Sequence, residues 1–79
     1  MYTRFLTYDL KYAKTDDYRE LYNLIEKYKG EKITESTYKI KTTDSWETFK
    51  EKFINVTNYG DNLKAIVLCD KTMEVRTIR

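Results

Sequence analysis

The first nine residues after Met1, "YTRFLTYDL", place bulky apolar side chains on alternate positions and are rich in Tyr, Phe, Thr and Leu. That is a strand pattern, and it predicts a strand over residues 1–10. With Leu6 and Tyr8 on one side, Thr3, Phe5, Thr7 and Asp9 fall on the other. The strand closes on an acid, Asp9, and residues 11–14 form a connection. The period then changes. Tyr18, Leu21, Ile25 and Tyr28 recur at i, i+3, i+7 and i+10, with Tyr22 and Leu24 widening the stripe, so a helix runs near residues 16–29. Thr15, Asp16 or Asp17 can cap it, and Asp17 with Glu20 has the spacing of a capping box. Gly30 follows the last periodic residue, where a left-handed terminating residue is wanted.

Residues 31–43, "EKITESTYKIKTT", alternate again: Thr37, Lys39 and Lys41 against Tyr38, Ile40 and Thr42. The segment is long enough for two short strands with a break near Glu35–Ser36. Asp44 then opens a second helix with Glu47 as its capping partner, and Trp46, Phe49, Phe53 and Val56 share one face. Gly60 lies just past its end. "LKAIVLC" reads as a buried strand from its continuous apolar run. "MEVRTI" is a last strand after a tight turn at Asp70–Lys71. The order is β-α-β-β-α-β-β. Its first six elements are the split βαβ, ferredoxin-like pattern, an α+β fold. Two helices cover one face of an antiparallel sheet, and the fifth strand is a C-terminal addition. One domain occupies residues 1–79, without repeats, linkers or low-complexity segments.

Such a fold leaves one sheet face bare. Lys39 and Lys41 point outward on the third strand, and Lys64, Ile66 and Leu68 on the fourth. Phe5, Ile66 and Leu68 then form an exposed apolar patch, which marks an interface with a second copy. Composition adds to this picture mainly by exclusion. Net charge is +2, so contact with nucleic acid is allowed but no basic block demands it. The chain has no histidine, which removes histidine bases, the usual triads and most transition-metal sites. Its one cysteine excludes an internal disulfide and a cysteine-rich zinc site, and fits a reducing cytoplasm. No run is apolar enough to span a bilayer, and a modest core in 79 residues gains from a partner copy.

Asp9 is the residue with most chemical promise. A carboxylate at a strand end can hold Mg²⁺, and two of them across a dimer axis make a better site, whose bound water can attack a phosphodiester. The plainer alternative is that Asp9 caps a turn or pairs with Lys11. Asp16 and Asp17 are capping and dipole residues. Ser36 has no histidine to activate it. Cys69 reads as a small core residue, and Trp46 and the tyrosines as core by their spacing. Tyr12, between Lys11 and Lys14, stacks on a base or covers the sheet edge.

The stretches "FLTYDL", "LYNLIEKY", "ESTYKI" and "DNLKAIVL" resemble the CRISPR-associated protein 2 family and its relatives, the VapD-type toxin ribonucleases and small SinR-type bacterial and phage proteins. Asp9 falls at that family's strand-terminal aspartate, and Ser36 and Tyr38 at its serine followed by an aromatic. The resemblance spans about residues 2–69. It implies a ferredoxin-like homodimer that is either a Mg²⁺-dependent endonuclease with Asp9 at its metal, or a nucleic-acid-binding scaffold. Lys11, Lys14, Lys39 and Lys41 are the candidate nucleic-acid contacts. The chain lacks an arginine-rich loop after the first strand and its last strand is short. The alternative is a non-catalytic protein-binding inhibitor or adaptor, such as a phage-encoded inhibitor that binds a protein of a host CRISPR-type defence system.

Overall fold

The first strand, β1, covers Tyr2–Asp9 and sits in the middle of the sheet. The computed structural model describes residues 1–9, 15–57, 61–69 and 72–79. The side chains at 15–17, 68 and 69 fall outside that description. So do the connection with Lys11, Tyr12 and Lys14, the capping by Asp16 or Asp17, Gly60 and the turn at Asp70–Lys71. The remaining elements are α1 (Thr15–Lys27), β2 (Glu31–Thr34), β3 (Thr37–Thr42), α2 (Trp46–Asn55), β4 (Asn62–Cys69) and β5 (Thr72–Thr77). The five strands form one open antiparallel sheet in the order β2-β3-β1-β4-β5. The expected break near Glu35–Ser36 is present as the turn between β2 and β3.

Register explains the burial. Leu6 lies between Tyr38 and Ala65, and Arg4 between Ile40 and Val67. Those positions share one sheet face, and Leu6, Tyr8, Ile40, Leu63, Ala65 and Val67 are buried there. Leu21 and Ile25 of α1 and Phe49 and Phe53 of α2 join them in a single cluster. A continuous apolar run is therefore half-buried rather than enclosed: in β4, Lys64 is exposed and Ile66 only partly covered.

Two helix ends differ from expectation. Helix α1 ends with the Gly30 N–H donating to the Ile25 carbonyl at 3.0 Å and the Lys29 N–H donating to the Glu26 carbonyl at 2.8 Å. In that Schellman arrangement the left-handed position belongs to Lys29, with φ 55°. Gly30 serves a different need. A Cβ there would lie 2.6 Å from Ile25 Cγ2 and 3.2 Å from the Ile25 carbonyl oxygen, so close approach selects glycine. At α2 the cap is Ser45, whose hydroxyl accepts from the Thr48 N–H at 3.3 Å. Asp44, expected to be that cap, instead accepts from the Tyr28 hydroxyl at 2.7 Å and the Lys52 ammonium at 3.0 Å, tying the two helices together.

Candidate functional site

Asp9 is the last residue of β1, exposed, and paired in register with Asn62. It borders a cleft of about 440 Å³ lined also by Tyr8, Tyr18, Tyr22, Glu35 and Ser36. The position follows from topology. The central strand delivers Asp9 to one end of the sheet, the β2–β3 turn brings Glu35 and Ser36 to the same end, and the first turns of α1 add two tyrosines. On the other side of Asp9, Thr7, Asn62 and Lys64 line a second depression of about 330 Å³.

The cleft wall is an aromatic cluster. Tyr22 lies 6.2 Å from Tyr8, 6.0 Å from Tyr18 and 6.3 Å from Tyr38, ring centre to ring centre. The Tyr8 hydroxyl has one proton and two neighbouring acceptors, the Tyr22 hydroxyl at 3.0 Å and the Glu35 carbonyl at 3.2 Å. Its single proton is donated to the Tyr22 hydroxyl, with the Glu35 carbonyl as a second acceptor of the same proton. Burial, followed by the bond to Tyr22, pushes the Tyr8 phenol well above its ordinary range. Tyr8 is thus a structural phenol that stays protonated, not an acid-base group at neutral pH.

Asp9 gathers few further ligands. Among the described residues no three His, Cys, Asp or Glu side chains come together. For Mg²⁺, one chain offers Asp9 with Glu35 and the Ser36 hydroxyl in the same cleft, a sparse oxygen set for a hard cation. A full metal centre would need a second copy or coordinated water.

The bare sheet face is laid out as the alternation predicts. Phe5 lies between Lys39 and Ile66, Thr3 opposite Lys41, and Thr7 opposite Lys64. Three lysines therefore frame a half-buried phenylalanine on one surface. Lys11 and Lys14 lie outside the described residues; so does the Leu68 side chain, although its backbone is part of β4. Sequence reasoning missed the share of β5 in the apolar patch. Val75 stands beside Ile66 and Met73 beside Leu68, and both are largely exposed, at 68% and 73%. Alternation in "TMEVRT" already carried that signal.

A second polar centre lies on the helix side of the sheet. Arg4 is only 2% exposed, and its guanidinium lies 4.7 Å from the Phe49 ring, 4.9 Å from Tyr2 and 5.8 Å from Trp46. It donates to the Asp44 carbonyl at 3.0 Å. Desolvation by burial lowers its pKa from the ordinary value. Arg76 stacks on the Trp46 ring at 5.3 Å. This cation–π stack fixes the start of α2 against β1, a structural role.

The architecture defines an α+β protein with a five-stranded antiparallel sheet, two helices, and an acid at the end of its central strand. Comparison with known protein families, with characterised proteins and with solved structures finds no match for the chain. Among the described residues no helix is long and apolar enough to cross a membrane.

Proposed function

We propose that this chain is a ferredoxin-like, nucleic-acid-binding relative of the CRISPR-associated protein 2 and VapD group that works as a homodimer. One observation carries the reading. The bare sheet face sets Phe5 among Lys39, Lys41 and Lys64, an aromatic surface framed by cations. A flat apolar ring lets a base stack, and lysines beside it neutralise the adjoining phosphates. Single strands suit such a surface better than duplex, because only unpaired bases expose their faces.

The test is binding of a labelled single-stranded RNA or DNA to wild type and to Lys39→Glu/Lys41→Glu. Affinity should fall as salt rises and should drop at least tenfold in the double variant. Equal binding by both proteins removes the reading. Cleavage is tested separately with Asp9→Asn, which keeps the shape and removes the charge. An endonuclease of the resembled type requires Mg²⁺ and loses activity in that variant, whereas a scaffold binds without cutting in either form.

The exposed apolar pair Met73 and Val75 favours a second reading, a protein-binding inhibitor or adaptor, such as one directed at a defence-system protein. In that case nucleic acid does not bind at all, and substitutions at Asp9 are silent.

A further inference from the structure

β5 is an open sheet edge with an unusual degree of self-complementarity. The Ile78 N–H donates inward to the Leu63 carbonyl at 2.8 Å. Backbone groups alternate along an antiparallel strand, so Thr72, Glu74 and Arg76 also turn toward β4. Met73, Val75 and Thr77 then direct their N–H and C=O groups to the free edge. Their side chains lie on the bare face with Phe5 and Ile66, while Glu74 and Arg76 lie on the helix side. Among the described residues this edge is regular: six residues in continuous register with β4, with no proline, no lysine and no bulge, and its two charges are of opposite sign.

We propose that the second copy of the chain adds edge to edge through β5, antiparallel, about a two-fold axis at Val75. The inference rests on the homodimer reading above and specifies its mode. Only one register suits the strand. An axis at Val75 sets Val75 against its mate, Met73 against Thr77, and Glu74 against Arg76 twice. All outward backbone groups of Met73, Val75 and Thr77 are then paired. An axis at Glu74 would oppose Glu74 to itself, and one at Arg76 would oppose Arg76 to itself. Axes nearer the strand ends leave fewer pairs. Like charges directly opposite are destabilising, whereas opposite charges at such positions stabilise, so the charge pattern selects the central register.

This mode carries a functional consequence. It extends the sheet to ten strands and keeps the face with Phe5 and the lysines open and doubled. β1 is two strands in from the edge, so the two copies of β1 are five strand spacings apart, roughly 24 Å. The two Asp9 carboxylates do not meet across this axis. Each acts with its own chain, which favours binding over a shared metal centre.

The experiment is a charge exchange read by sedimentation equilibrium. Glu74→Arg sets two guanidinium groups against each other in every cross-strand pair, and Arg76→Glu sets two carboxylates together. Each variant alone should dimerise roughly 30-fold more weakly than wild type, from two reversed cross-strand pairs. An equimolar mixture of the two should recover the dimer, because every cross-strand pair then has opposite charges. The salt bridge within each chain, Arg76 to Glu74 at 2.9 Å, stays broken in the mixture, so recovery cannot come from it. Weak singles with no recovery on mixing overturn the proposal. Wild-type dimer that both singles preserve, but Phe5→Asp disrupts, moves the interface to the bare face and leaves the homodimer standing. Wild type that is monomeric at high micromolar concentration ends both ideas. If either single variant fails to fold, Val75→Lys, which opposes two cations at the axis, reads out the same contact.

Discussion

The sheet has two edges, and they are built differently. β2 is four residues long, exposed throughout, and its register with β3 slips between Lys32 and Thr34. Glu31 and Lys32 lie on it, and Lys32 holds Glu35 in an exposed ion pair at 3.3 Å. Ile33 is its one large apolar side chain, 50% exposed. β5 has six residues, unbroken register, and two large apolar side chains that are more exposed still. Short length, irregularity and charge are what proteins use to keep an edge from pairing. β2 has all three. β5 has charges of both signs arranged to match themselves. The lesson is that an edge strand is judged by where its charges fall against a copy of itself, not by how many it has.

The largest expected effect tests what both edges stand on. Phe53 is fully buried beside Phe49, at 4.8 Å between ring centres. Phe53→Ala should cost about 3–5 kcal/mol, close to the whole stability of a small domain, and should release amide protons of β2 and β5 together. Hydrogen exchange with chemical denaturation checks it. If β5 keeps its protection while β2 loses it, β5 is held by something other than this core, and a second copy is the candidate.

The next effects fall on the β2 side alone. Gly30 precedes β2, and Gly30→Ala should cost about 1–3 kcal/mol because Ile25 must move to admit the methyl group. Its neighbour has the opposite sign. Lys29→Gly relieves a left-handed backbone and should gain about 1 kcal/mol. Thermal denaturation of the two variants should bracket wild type. Loss at both positions would mean that the Schellman ending does not set this junction.

Ile33→Lys and Val75→Lys compare the edges directly. Both residues are exposed, so each substitution should change folding stability by about 0.5 kcal/mol or less. Association should respond only at Val75. A response at Ile33 instead would exchange the roles of the edges.

The smallest effect is electrostatic. The Tyr28 hydroxyl, then Lys52, hold the Asp44 carboxyl below its ordinary value. A depressed carboxylate stabilises the fold above its unfolded value, near pH 4, and that contribution is lost as pH falls through the folded value. Asp44→Asn should therefore lower stability at neutral pH and converge on wild type as pH falls below about 4, where wild type has lost the same contribution. Tyr8 and Tyr28 act at the other extreme. Burial first, and hydrogen bonding second, raise both phenols. Their contribution is complete below about pH 10 and declines as pH climbs, which tyrosinate absorbance during alkaline unfolding would follow.

Much of this architecture is legible in the chain because period is a local signal. The alternation around Phe5 assigned both faces of β1, and the spacing of Phe49 and Phe53 gave α2 its inner stripe. Helix ends were less legible. Ser45 and Asp44 are both good caps, and only the reach of Tyr28 and Lys52 toward Asp44 decides between them. Gly30 looked like a left-handed terminator because glycine usually is one. Its actual constraint, the Ile25 side chain, exists only after packing. The cleft at Asp9 was half visible. The acid at a strand end can be read directly, but Tyr18, Tyr22 and Glu35 come from segments whose proximity only the sheet order determines.

That sheet order also sets a timetable. Of these strands β1 is made earliest, yet it is the central one, and both of its neighbours are made much later. Arg4 needs Ile40 on one flank and Val67 on the other. Helix α1 and the β2–β3 hairpin can form as they emerge, but the N-terminal segment has no complete berth until β4 is available. Non-local pairing of this kind slows folding and prolongs the exposure of unpaired strand. The ribosome therefore releases Leu6 and Tyr8 long before the chain can bury them, and the centre of the finished sheet waits for an element near the far end of the described chain.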